Sequence, residues 1–154
     1  MPFPIEYSGE IKWNSHLNPT EKDRNLFVNT MAGMLSYLGS TRVTVQEETI
    51  WFEGPELNRF GSGSNVLLAI TTGEIKTRVV NNVLVVSYYL NFRKVVFFAT
   101  VSLSAAAIVA VISTRDLFPV APVTLAWFLA VGMNYWFTAN IRFPRLIRQV
   151  LQSM

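Results

Sequence analysis

No cysteine occurs among the 154 residues, so disulfides, thiolate nucleophiles and cysteine-based zinc sites are excluded. Histidine is almost as scarce. His16 stands alone in a loop before the first expected helix, with no second ligand or general-base partner, and reads as a surface residue. Charge is missing from two long runs, Val95 to Thr114 and Leu117 to Ile141. The N-terminal stretch MPFPIEYSGEIKW has no basic segment followed by an apolar one, so no cleavable signal is expected. Nor is there a Lys/Arg-rich arm to track phosphates, which sets nucleic acid aside.

What charge there is divides the chain. Residues 1–92 carry 7 Lys/Arg against 9 Asp/Glu, spread as on an ordinary polar surface. Residues 93–154 carry 6 Lys/Arg against the single Asp116, so the basic balance belongs to the second part alone. The length allows one compact domain with a small appendage.

The run VVFFATVSLSAAAIVAVIST, Val95 to Thr114, would rise roughly 30 Å as a helix, the thickness of a bilayer's hydrocarbon core. Leu117 to Ile141 is longer still. The sequence therefore predicts a transmembrane helical hairpin over 93–141, with Arg115 and Asp116 at its tip and Pro119 and Pro122 near the start of the second helix. Arg93, Lys94, Arg142, Arg145 and Arg148 flank the open side, which by the positive-inside rule places both termini in the cytoplasm of a multi-pass inner-membrane protein. Trp136, beside Tyr135 and Phe137, would join these cations at the interface.

Small residues recur every four positions on both runs: Ser102, Ala106 and Ala110 on the first, Ala126, Ala130 and Asn134 on the second. Such stripes allow close helix approach, either to each other or to a partner's helix. The tail, 142–154, reads as a short amphipathic helix begun by Pro144, with Ile147, Val150, Leu151 and Met154 on one face, lying in the lipid headgroup plane or packing on a neighbouring subunit.

Residues 1–92 read as an α+β domain with the order β-α-β-β-β-β. Ile5, Tyr7, Gly9, Ile11 and Trp13 alternate with polar residues, as in a half-buried strand. A helix follows, capped by Asn18 with Pro19 at its first position and Glu21 completing a capping box; Phe27, Met31, Met34, Leu35 and Leu38 form its apolar face and Gly39 stops it. Arg42 to Gln46 and Thr49 to Glu53 form a hairpin around Glu47-Glu48. Gly73 to Val79 and Val83 to Phe92 form another around Asn81-Asn82, residues that tolerate the positive φ of a tight turn. Val66 to Ile70 would add a strand. The last strand is apolar on both faces, Leu84, Val86, Tyr88 and Leu90 on one and Val83, Val85 and Tyr89 on the other, so it is central or covered from outside.

The stretch NRFGSGSNVLLAITTGEIKTRVVNNVLVVSYYLNF, leading into the first apolar run, resembles uncharacterised small bacterial membrane proteins with an N-terminal α+β domain and a C-terminal helical hairpin. The resemblance implies the general plan and no function or site residue.

No catalytic, cofactor or metal residues emerge. The loop GSGSN at 61–65 lacks the Lys-Ser/Thr of a phosphate cradle, and Glu47, Glu48, Glu53 and Glu56 read as a solvated rim. Pigment or haem ligation ordinarily uses an intramembrane histidine, and neither run has one. The expectation is a non-enzymatic accessory or assembly subunit of a larger membrane complex, of respiratory or photosynthetic type, with membrane lipids and integral membrane subunits as partners and no small-molecule substrate. The alternative is a membrane-anchored module whose α+β domain recognises lipid headgroups or a cytoplasmic partner.

Overall fold

A computed structural model describes residues 5–13, 19–56, 65–114 and 120–154. Five antiparallel strands, β1 (Glu6–Trp13), β2 (Arg42–Gln46), β3 (Thr49–Glu53), β4 (Thr72–Val80) and β5 (Val83–Asn91), form one sheet in the order β1-β5-β4-β3-β2. Both hairpins turn where the sequence places them. Glu47, Asn81 and Asn82 hold φ of 51°, 50° and 60°, the left-handed region that a two-residue hairpin turn demands. β1 closes the sheet by pairing with β5, Tyr7 opposite Leu90 and Gly9 opposite Tyr88.

One face of the sheet is apolar because its strands alternate. Tyr7, Gly9, Ile11, Ile50, Phe52, Ile75, Leu84, Val86, Tyr88 and Leu90 point to the same side, and two helices cover them. The first, α1 (Glu21–Tyr37), buries Phe27, Val28, Met31 and Leu35. Its cap lies two residues beyond the expected one: Thr20 is the N-cap, its hydroxyl accepting from the Asp23 N–H while the Asp23 carboxylate accepts from the Thr20 N–H at 2.7 Å. These bonds hold the Asp23 carboxyl below its usual range, the backbone bond contributing most. Asn18 lies outside the described residues. Gly39, at φ 88°, ends the helix as expected.

The second cover is α4 (Phe143–Gln152), which buries Phe143, Pro144, Leu146, Ile147, Val150 and Leu151 and packs beside α1. Phe143 sits between Tyr88 of β5 and Phe52 of β3, ring centroids 5.4 and 5.9 Å away. Two glycines make room for these rings. A Cβ on Gly9 would lie 2.3 Å from the Tyr88 hydroxyl, and one on Gly73 2.2 Å from the Phe52 ring. β5 is flanked by β1 and β4, which explains its two apolar faces: Val85 is buried on the outer face between Lys12 and Arg78 in register. Val66–Ala69 is a 3-10 turn where a strand was expected; the Asn65 side chain accepts from the Leu67 N–H and draws the backbone into a tight turn.

Along the chain, α2 (Arg93–Thr114) and α3 (Val120–Phe137) lie between β5 and α4. The expected transmembrane hairpin is not found: among the described residues no helix is long and apolar enough to cross a membrane. The reason lies at the domain ends of the two apolar runs. Val95 and Val96 pack against the sheet core, and Tyr135, Thr138 and Ala139 are buried in it, so residues counted as span belong to the domain. The multi-pass inner-membrane location with cytoplasmic termini and the identification as an integral membrane protein fall with it. Arg115, Asp116 and Pro119 lie outside the described residues.

The separate interfacial tail is also corrected. α3 continues through a π turn, Thr138–Arg142, into α4 without a break. Pro144 explains the turn. An α-helical proline would clash with the carbonyl four residues before it and could not donate to it. Widening the helix by one residue, with the Phe143 N–H donating to the Thr138 carbonyl, carries the chain past the obstacle. The apolar face read in the tail is real, but the sheet covers it.

Candidate functional site

Two features stand out beyond the core. The first is the surface of α2 and α3. Thirteen of the twenty exposed large hydrophobic side chains among the described residues lie on these helices, including Phe97, Ile108, Leu129, Met133 and Trp136. Positions 125 to 130 of α3 are six consecutive exposed residues, more than a full turn, so no single neighbour within the chain could cover them. Exposed apolar area on this scale marks an interaction surface.

The helix pair meets through other residues than the small-residue stripes. On α2 the less exposed positions are Val95, Val96, Ala99, Leu103 and Ala107; on α3 they include Thr124, Val131, Gly132 and the buried Tyr135. Ser102, Ala106, Ala126, Ala130 and Asn134 are exposed, and the Ala110 side chain lies outside the described residues. The stripes therefore face outward. Of the basic and aromatic residues, Arg93, Lys94, Trp136, Arg145 and Arg148 are exposed, and Arg142 is half-buried with its guanidinium 5.1 Å from the centre of the Phe137 ring. The Arg93 N–H donates to the Asn91 side chain and the Lys94 N–H to the Thr71 hydroxyl, which start α2 where β5 ends and β4 begins.

The second feature is a cavity of about 370 Å³ where the π turn meets β1, lined by Tyr7, Phe92, Gly132, Tyr135, Trp136, Ala139 and Asn140. Tyrosines pin this corner. Tyr7 donates to the Asn140 side-chain oxygen at 2.6 Å, Tyr88 to the Ala139 carbonyl at 3.3 Å, and Tyr135 to the Phe92 carbonyl at 3.1 Å. The Ala139 bond serves a carbonyl at the widened turn. Burial pushes the hydroxyls of Tyr88 and Tyr135 up to about 12; for Tyr88 the neighbouring Tyr7 adds to the effect.

The sequence did not single out this corner. Pro144, four residues after Asn140 inside a helical pattern, is the one local sign of a distorted turn there, whereas the convergence of Tyr7 with Asn140, 133 positions apart, has none.

The opposite face of the sheet is polar. Trp51, Glu74, Tyr89 and Ser8 form a row across it, with Lys76 paired to Glu74 at 2.9 Å and Arg78 to Glu10 at 3.1 Å. Acids and bases are interleaved there, so the face carries no patch of one sign. Within the glutamate cluster Glu48 pairs with Arg24 of α1, tying the first hairpin turn to that helix. Among the described residues no group of three or more His, Asp or Glu is placed to hold a metal ion. His16 and residues 61–64 lie outside the described residues.

No family model matches the chain, and no curated protein and no solved structure matches it.

Proposed function

We propose that the protein is a non-enzymatic accessory or assembly component that works by docking α2 and α3 against the apolar helices of a larger protein partner. The observation that carries this reading is the run of consecutive exposed apolar positions on α3, continued on α2 by Phe97, Phe98 and Val101. A helix apolar all round requires cover on every side, and here the described residues leave much of its circumference exposed. The outward small-residue stripes suit close approach by a partner's helix. The sheet domain then serves as a rigid base, since α3 is continuous with α4 and α4 is locked into the sheet core.

Site-specific photo-crosslinking on the full chain in its native cell tests this. Probes at Phe97 and Met133 are expected to capture a discrete second polypeptide, while a probe at Tyr37, exposed on α1, does not. Crosslinks from all three positions alike, only to lipid, or only to further copies of this chain would overturn it.

A further inference from the structure

The cavity at the π turn shares Trp136 with the docking surface but differs from it in the rest of its lining. Its walls are the rings of Phe92, Tyr135 and Trp136, and Gly132 leaves one side without a side chain. None of the described residues that line it is charged. A charged molecule would lose its hydration there without a partner, whereas the flat face of a neutral ring meets aromatic edges and faces. One end is polar. The Asn140 amide accepts from Tyr7 and donates to the Trp136 carbonyl at 3.0 Å, which leaves it one N–H and one lone pair, and the Tyr7 oxygen keeps its own acceptor capacity. These groups can meet either a hydroxyl or a carbonyl. The volume stands at the small end of the range for ligand pockets. The frame is set in advance, because Pro144 fixes the π turn and Tyr88 and Tyr135 tie it to β5 and to the start of α2.

We propose that this cavity binds a neutral, mostly apolar ring compound, about the size of two fused rings, bearing one hydroxyl or carbonyl that bonds to Tyr7 and Asn140. The described lining belongs to this chain, and Trp136 is shared between the cavity and the exposed surface of α3.

2-Naphthol and naphthalene, titrated into the full chain with ¹³C-labelled tyrosine rings in a mild detergent, test it by nuclear magnetic resonance. The signals of Tyr7 and Tyr135 are expected to shift saturably with 2-naphthol, while Tyr37 on α1 stays still. Gly132→Leu fills the cavity and should abolish the saturable shift of Tyr135. Met133→Ala, next to it on the exposed surface, should leave it intact. Tyr7→Phe keeps the shape and is expected to weaken 2-naphthol roughly three- to tenfold, read at Tyr135, without changing naphthalene. Equal, non-saturating shifts at all tyrosines, or an undiminished Tyr135 shift in a folded Gly132→Leu chain, would overturn the site. Equal weakening of both compounds by Tyr7→Phe would overturn the polar anchor.

Discussion

The sheet with its two covering helices and the projecting pair α2 and α3 are built from similarly apolar residues, yet their fates differ. In α4 the apolar residues Phe143, Leu146, Ile147, Val150 and Leu151 fall on one side, and Arg145, Arg148, Gln149 and Gln152 on the other. One sheet face satisfies that helix completely. In α3 the apolar residues run round the whole circumference, and the contact with α2 and the domain leaves most of them exposed. Angular distribution, more than total hydrophobicity, decides whether a helix is finished by its own chain.

Paired truncations probe the difference most strongly. Phe143→Ala, in the middle of the covered face, should cost about 3–5 kcal/mol in chemical denaturation. Phe97→Ala, 62 % exposed on α2, should stay within about 0.5 kcal/mol and instead weaken partner crosslinking. Comparable losses at the two positions would show that α2 is packed as tightly as the sheet.

Gly9→Ala should cost about 1–3 kcal/mol, because the new Cβ collides with the Tyr88 hydroxyl and forces the ring away from Ala139. Removing that hydroxyl as well, in Gly9→Ala with Tyr88→Phe, should recover part of the loss.

The smallest effect concerns pH. Tyr88 and Tyr135 have folded pKa values of about 12 against an ordinary 10.0, so the unfolded chain releases their protons first. Their contribution is complete below pH 10 and is lost as the pH rises towards 12. Tyr135→Phe should cost about 1 kcal/mol at neutral pH, through its lost bond to the Phe92 carbonyl, and should flatten the decline in that window. An unchanged alkaline slope in that variant would remove Tyr135 from the account.

Local pattern made much of the sheet domain readable. The strand boundaries, the two hairpin turns and the apolar face of α1 follow from alternation, from residues that accept positive φ and from helical spacing. The cap of α1 moved because Thr20 and Asp23 form a reciprocal pair that Asn18 and Glu21 only resemble in spacing. Non-local facts were not readable. An apolar stripe on the tail gives the width of a buried face and does not name its cover, so lipid and sheet look alike from sequence. Runs without charge likewise do not reveal that Tyr135 and Ala139 belong to a core built from strands far away in the chain. The cavity needed three such convergences at once, Tyr7 on Asn140, Tyr88 on Ala139 and Tyr135 on Phe92.

The placement of β1 has a consequence for biosynthesis. Among the described elements β1 pairs only with β5, which leaves the ribosome many residues later, and α4 emerges later still. The nascent chain must therefore hold β1 unpaired until β5 is made, and the part of the apolar sheet face that α4 covers stays bare until that helix arrives. A product ending between Phe92 and Phe143 would leave that part of the face uncovered, which makes such fragments natural clients for chaperones and proteases.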